Sequence, residues 1–216
     1  MGARKSYRQN CPIARSLDML GERWTLLILR ELLAGPRRYS DLRAELPGIA
    51  TNLLAERLKE LEKAGLVDRA EFPPPIARTV YTLSDAGWQR VLPVLQSLAR
   101  FGLDRLDCVD GGPVSPLTGF LALIVVPFDP IRAAGLTAAY RIDIDGRRFE
   151  VAVDQGHLTA AAGEPDVTVT ASAADLATAR LGSTEAISKA ALRRIKFDGE
   201  PEAIEALRTA FSLSDD

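Results

Sequence analysis

Three residues in one short stretch, Thr51, Asn52 and Arg57, are of the types that read base edges. An Asn amide bridges adenine, an Arg guanidinium bridges guanine, and a Thr hydroxyl serves either. Around them stand Arg37, Arg38, Arg43, Lys59, Arg69 and Arg78, cations of the kind that meet phosphate oxygens. Each has a plainer reading beside this one. Thr51 caps a helix, Asn52 is a solvated first-turn residue, Arg57 pairs with Glu60 or Asp41, and a surface Arg is simply hydrated.

Other reactive side chains are sparse. The 216 residues hold two Cys, at 11 and 108, and one His, too few for a disulfide framework or for a four-ligand zinc site within one chain. There is no Gly-rich phosphate loop and no G-x-S-x-G; His157 stands alone beside a turn, and carboxylates such as Asp143 and Asp154 would face each other only by chance. Neither catalysis nor a cofactor or metal is expected. Cys11 stands at a helix N-terminus with Arg8 and Arg15 nearby, a place where a thiol pKa can fall. The alternative is a small thiol packing as a modest hydrophobe, and Cys108 reads as incidental.

The elements that must position these residues follow from hydrophobic spacing. Residues 1 to 106 carry 17 Lys+Arg and 12 Asp+Glu, and residues 107 to 216 carry 10 and 17, so a basic half precedes an acidic one. That asymmetry suits an anionic partner for the first half. The Gly- and Pro-rich run at 110 to 116 marks the seam, giving a domain at 1 to 109, a linker, and a domain at 117 to 216. In the first half the spacing predicts helices from 11 to 20, from 24 to Gly35-Pro36, from 39 to 46 and from 50 or 51 to 64, the last closed by a left-handed Gly65. The second of two short helices joined by Pro47-Gly48 is polar at its N-terminal end, as in a helix-turn-helix whose second helix enters the major groove. Alternating residues at 66 to 72 and 79 to 83, split by Pro73-Pro74-Pro75, add a hairpin and complete a winged helix. A long helix then begins after Ser84, with a stripe that includes Val91, Leu95, Leu98 and Leu103; one small domain does not cover it, so these residues, with Ile13 and Leu17 of the first helix, are expected at a subunit interface.

At this point the chain resembles the HxlR-type winged-helix regulators, a branch near the MarR-like repressors, over about residues 9 to 105. The resemblance rests on Cys11-Pro12, Leu20-Gly21-Glu22-Arg23-Trp24-Thr25, the Arg38-to-Leu42 step, the run from Leu58 to Val67 and Tyr81-Thr82-Leu83-Ser84-Asp85-Ala86-Gly87. The wing departs from the pattern, with three prolines before Ile76-Ala77-Arg78 where family wings are more polar. The resemblance implies a homodimer on a pseudo-palindromic double-stranded DNA operator. It also implies that Cys11 is a candidate redox sensor, through an intersubunit bond or reaction with an electrophile.

In the acidic half an apolar segment from 117 to 126 is followed by a short helix from 129 to 134 and by strands at 140 to 144, 149 to 153, 157 to 162 and 166 to 170, expected as an antiparallel meander. Helices from 172, from 184 and from 201 follow, with a short strand at 195 to 197. This order resembles the sterol-carrier-protein-like fold over about residues 117 to 213, through the 140 to 154 hairpin, Asp166-Val167-Thr168-Val169-Thr170 with Ser172-Ala173-Ala174-Asp175-Leu176, and Lys196-Phe197-Asp198-Gly199-Glu200-Pro201. It implies an apolar cavity for a small hydrophobic ligand, with Phe120, Ile124, Phe128, Leu176, Leu207 and Phe211 as lining residues. The alternative is a filled core that braces the dimer.

The fold class expected is therefore α+β: an N-terminal winged helix-turn-helix and a C-terminal sterol-carrier-like domain. No apolar stretch approaches the roughly 20 residues that span a bilayer, and the basic N-terminus reads as the start of a cytoplasmic protein. Three readings follow: a DNA-binding regulator whose C-terminal domain senses a ligand or stiffens the dimer, a regulator controlled through Cys11, and a lipid carrier whose winged helix serves protein contact.

Overall fold

The computed structural model describes residues 6–72, 78–103, 114–161, 163–182 and 184–213. Cys108, most of the 110 to 116 seam and the wing tip at 73 to 77 lie outside these residues, as do the side chains of Phe72 and Arg78. The chain divides into two compact units, Met1–Ser84 and Asp85–Asp216. The long helix that the hydrophobic pattern joins to the first domain belongs to the second of these units.

The first unit is built from α1 (Pro12–Leu20), α2 (Thr25–Leu33), β1 (Arg37–Arg38), α3 (Tyr39–Glu45), α4 (Thr51–Lys63), β2 (Val67–Phe72) and β3 (Arg78–Leu83). Helix α2 is apolar nearly all round and is buried accordingly, with Ile28, Leu29, Leu32 and Leu33 fully inaccessible. Its one buried acid, Glu31, accepts a charge-assisted bond from Arg30 at 2.7 Å. Helices α3 and α4 seat Leu42, Leu46, Leu54, Leu58 and Leu61 in the same core. Helix α4 ends as its sequence implies: Gly65, at φ +69°, takes the left-handed position that turns the chain into β2. The sheet has order β1-β3-β2, all antiparallel. Its two-residue strand β1, which pairs Arg37 with Tyr81 and Arg38 with Val80, is too short to show a hydrophobic alternation of its own.

The second unit comprises α5 (Asp85–Gly102), α6 (Pro116–Phe120) running on as a π-helical turn (Leu121–Val125), β4 (Ala138–Ile144), β5 (Arg147–Asp154), β6 (His157–Ala160), β7 (Val167–Ala171), α7 (Ala173–Leu181), α8 (Glu185–Leu192), β8 (Lys196–Gly199) and α9 (Pro201–Ala210). Residues 130 to 135 form turns rather than the expected short helix. The sheet corrects the expected meander: its order is β6-β5-β4-β7-β8, and β7 runs parallel to β4. Asp166 supplies the reason. Its backbone N–H donates to the Ala139 carbonyl at 2.8 Å and its carboxylate accepts from the Ala139 N–H at 2.7 Å, which pins the start of β7 beside the start of β4. The sheet is mixed as a result, and the whole is α+β.

The inner face of this sheet, Tyr140, Ile142, Ile144, Phe149, Val151, Val153, Val167 and Val169, is 1% exposed or less and meets Phe120 of α6 and Phe211 at the end of α9. Ser172 caps α7 by accepting from the Asp175 N–H, and Thr184 caps α8 from Ile187. Tyr140 is one of the exceptions to a satisfied interior. Its ring meets Phe211 edge-on at 5.7 Å, its hydroxyl has no hydrogen-bond partner among the described residues, and burial, with Asp166 nearby, pushes the phenol up to about 12. Removing an unpaired buried hydroxyl while keeping the ring is neutral or favourable. Tyr140→Phe is thus expected to leave stability unchanged or raise it by about 1 kcal/mol, read from the urea midpoint; a loss above about 1 kcal/mol means that the hydroxyl is paired in solution.

Candidate nucleic-acid interface

The first turn of α4 presents Thr51 and Asn52 to solvent, while Leu54, Leu58 and Leu61 hold the opposite face in the core. Ala50, not Thr51, occupies the N-cap, so Thr51 stands inside the helix. The start of α4 is tied to α3 by the Tyr39 hydroxyl, which donates to the Thr51 carbonyl at 2.6 Å. Helix α3 is anchored in turn by a capping box, in which the Asp41 carboxylate accepts from the Arg38 N–H at 3.0 Å. Two short helices are thereby locked in a fixed relation, with a polar N-terminal turn on the outside.

Arg57 is placed differently from the base-reading role its type suggests. Its side chain is 11% exposed, and its guanidinium is bound by Glu60 one turn along α4 and by Glu22 at 3.4 Å. Reaching a base would break both ion pairs. Of its two plainer partners, Glu60 is the one realised, and Glu22, from the α1–α2 junction, is a partner that spacing along one helix does not reveal. Arg57 therefore braces α4 within the unit.

The expected phosphate contacts fall into three groups. Arg38, Arg43 and Lys59 are exposed. Arg37 is half-buried and donates to the Ala34 carbonyl at 3.4 Å, and Arg69 is exposed on β2 in an ion pair with Glu71 at 2.6 Å. Arg78 begins β3, opposite Phe72, at the foot of the wing. The structure thus brings α3, the start of α4 and the wing strands into one unit that carries all these cations.

The residues expected at a subunit interface also separate. Ile13 and Leu17 on α1 are 70% and 43% exposed, and Leu98 on α5 is 45% exposed. Val91 and Leu95 are buried within the chain itself, and Leu103 is half-buried. Phe101, 74% exposed on α5, went unnoticed in the sequence because it lies off the regular stripe. Cys11 is a free, half-buried thiol at the N-cap of α1.

In the second unit Phe120, Ile124, Phe128, Leu176, Leu207 and Phe211 are all buried in one core. Phe120 stacks on Phe149 at 4.7 Å, and Phe128 meets Phe211 at 5.5 Å. Among the described residues no group of His, Cys, Asp and Glu is arranged to hold a metal ion, and no helix is long and apolar enough to cross a membrane.

Comparison with known proteins adds the context. The family model described as HxlR-like helix-turn-helix matches residues 19–109, and that of the SCP-2 sterol transfer family matches residues 127–212. An HTH-type transcriptional regulator of Synechocystis sp. is 38% identical over 97 residues, 45% of this chain and 71% of the relative. Another, YvaP of Bacillus subtilis, is 37% identical over 98 residues, 45% of this chain and 90% of the relative. Among solved structures, the reduced form of the transcriptional regulator YodB from B. subtilis is 33% identical, covering 46% of this chain and 97% of that one with a TM-score of 0.40.

Proposed function

Because the chain belongs to the HxlR-like helix-turn-helix family of transcriptional regulators, we propose that it acts as a homodimer on a pseudo-palindromic operator, reading bases through Thr51 and Asn52. One observation carries this: a first turn of α4 that is exposed and polar on a helix whose other face is locked in the core. Arg37, Arg38, Arg43, Lys59, Arg69 and Arg78 supply the phosphate contacts that set register without reading sequence. Exposed Ile13, Leu17, Leu98 and Phe101 supply apolar surface for the second subunit. Residues 1–109 and 117–216 then form the DNA-binding and carrier-like domains, joined through 110–116, and the carrier-like domain senses a small hydrophobic ligand. Selection from genomic fragments by the purified protein, with mass measured by light scattering, tests the reading. Retention of one palindromic sequence by a dimer is expected; retention of none leaves the lipid-carrier reading.

A second control has its own observation, the free thiol of Cys11 at the N-cap of α1. If Cys11 reports redox state, a thiol oxidant such as diamide changes operator affinity in the parent protein and leaves Cys11→Ser unchanged. A response that persists in Cys11→Ser assigns the effect elsewhere, with Cys108 next.

A further inference from the structure

One face of the five-stranded sheet in the second unit is buried, and its opposite face carries charge in a fixed pattern. The pairing register sets the outward side chains in two rows across the strands. In the order β5-β4-β7-β8 the first row is Glu150, Arg141, Thr168 and Asp198, and the second is Arg148, Asp143, Thr170 and Lys196. Every charge thus has its opposite two residues along the same strand, and the two Thr share the β7 column. All eight residues are half-buried or exposed, and the side chains of Arg148 and Glu150 are 59% and 52% exposed.

Cross-strand ion pairs hold the pattern in place, Arg141 with Glu150 at 3.3 Å and Arg148 with Asp143 at 3.1 Å. Beyond the first row the outward residues Ala139, Ala152 and Thr159 are small, so no bulky side chain stands beside it. Such a pattern complements itself. A half-turn about a line lying across the strands, midway between the rows, lays each row of one copy over the other row of a second copy. Glu150 of one copy then faces Arg148 of the other, Arg141 faces Asp143, Thr168 faces Thr170 and Asp198 faces Lys196. No column brings like charges together. Sheet twist does not spoil the match, because the same half-turn leaves the strands of each column along a common line. Glu150 and Arg141 of one copy close a ring of alternating charge with Arg148 and Asp143 of the other, and a network of charges holds better than isolated surface pairs.

We propose that the charged face of this sheet joins two copies of the chain, face to face and in this register. The contact is isologous, since the same patch serves on both sides. It is also polar and smaller than a standard interface, so it forms at about 0.1 mM chain and is lost as salt rises. The apolar surface assigned above to the second subunit, Ile13, Leu17, Leu98 and Phe101, is a different one, and salt does not weaken an apolar contact. The two surfaces therefore act independently, and each doubles the assembly.

Sedimentation equilibrium of the full chain at about 0.1 mM, in about 0.05 M and about 0.5 M sodium chloride, tests the face. The mass in high salt reports the apolar contact, and a doubling of that mass in low salt reports the sheet. Arg148→Glu sets an acid against Glu150 of the other copy, and Glu150→Arg sets a cation against Arg148, so neither variant alone should double. Mixed in equal amounts the two variants regain opposite charges across the β5 column, and the doubling should return. Lys196→Glu and Asp198→Lys repeat the same exchange on β8, and they serve if either of the first variants does not fold. No doubling of the parent in low salt, doubling that persists in the single variants, or a loss that the mixture does not repair overturns the proposal. A chain that is monomeric in high salt and dimeric in low salt refutes the apolar homodimer and leaves the sheet contact standing.

Discussion

Arg180→Ala is expected to lower the stability of the second unit by about 3 kcal/mol, the largest loss from any single side chain considered. Arg180 projects from α7 and donates to the Ala122 carbonyl at 3.1 Å, to the Ser212 carbonyl at 3.0 Å and to the Phe211 carbonyl. The first acceptor belongs to the π-helical turn and the other two to the end of α9. A π-helical turn and a helix C-terminus both leave carbonyls without ordinary helical partners, and one planar guanidinium answers both. Burial pushes the Arg180 guanidinium down to about 10, which leaves it fully charged at neutral pH, so its bonds are of the stronger, charge-assisted kind. Alanine removes all three at once and leaves the acceptors without a donor. Urea unfolding followed by circular dichroism gives the loss directly. Arg194→Ala is the comparison, because the Arg194–Asp175 pair at 2.6 Å is 55% and 21% exposed and should change stability by no more than about 1 kcal/mol. Burial alone would raise the Asp175 carboxyl, but hydrogen bonds from Arg194 and Ser172 outweigh it and hold that group below the usual range. Its contribution is therefore present at neutral pH and lost as pH falls through the acid range below about 4. Equal losses from the two substitutions would mean that Arg180 is hydrated rather than clamping the two ends.

Periodicity exposed most of this architecture and stopped where contacts between distant segments decide. Helices α1 to α4 and the wing were legible because Leu54, Leu58 and Leu61 repeat at helical spacing and because Gly65 and Pro47-Gly48 punctuate them. The hairpin from β4 to β5 was legible through the Asp145-Gly146 turn, whose residues take φ of +46° and +82°. The pairing of β7 with β4 was not, since Asp166 meets Ala139 across 27 residues and no local alternation tells a parallel neighbour from an antiparallel one. For α5 the spacing of Val91 and Leu95 predicts surface awaiting a second subunit. It is covered by its own unit, which Gln96 makes plain only once its partners Val125 and Phe128 are seen. Among the candidate site residues, helix position is enough to put Thr51 and Asn52 on an exposed first turn, whereas the placement of Arg57 turns on Glu22, 35 residues away.

That distinction between Asn52 and Arg57 yields the second large effect. Asn52→Ala is expected to weaken binding to the selected operator by about 1 to 3 kcal/mol and to relax preference at one base position. Asn52 is exposed in the first turn of α4 and is not the N-cap, so its removal leaves the helix and the core intact. An amide that bridges an adenine edge loses only that base, and affinity for non-specific DNA should stay the same. Lys59→Ala should behave in the opposite way, weakening all sequences alike and reducing the slope of log affinity against log salt by about one. Arg57→Ala should also weaken all sequences alike, but for a third reason: Glu60 and Glu22 lose their common partner, α4 is held less firmly, and the urea midpoint falls with the affinity. Binding isotherms on the operator, on single-base variants of it and on unrelated DNA, at several salt concentrations, separate the three patterns. A loss in Asn52→Ala that is the same on every sequence would remove Asn52 from base readout. A loss in Arg57→Ala confined to one operator position, with stability unchanged, would show that Arg57 leaves its two carboxylates to meet a guanine.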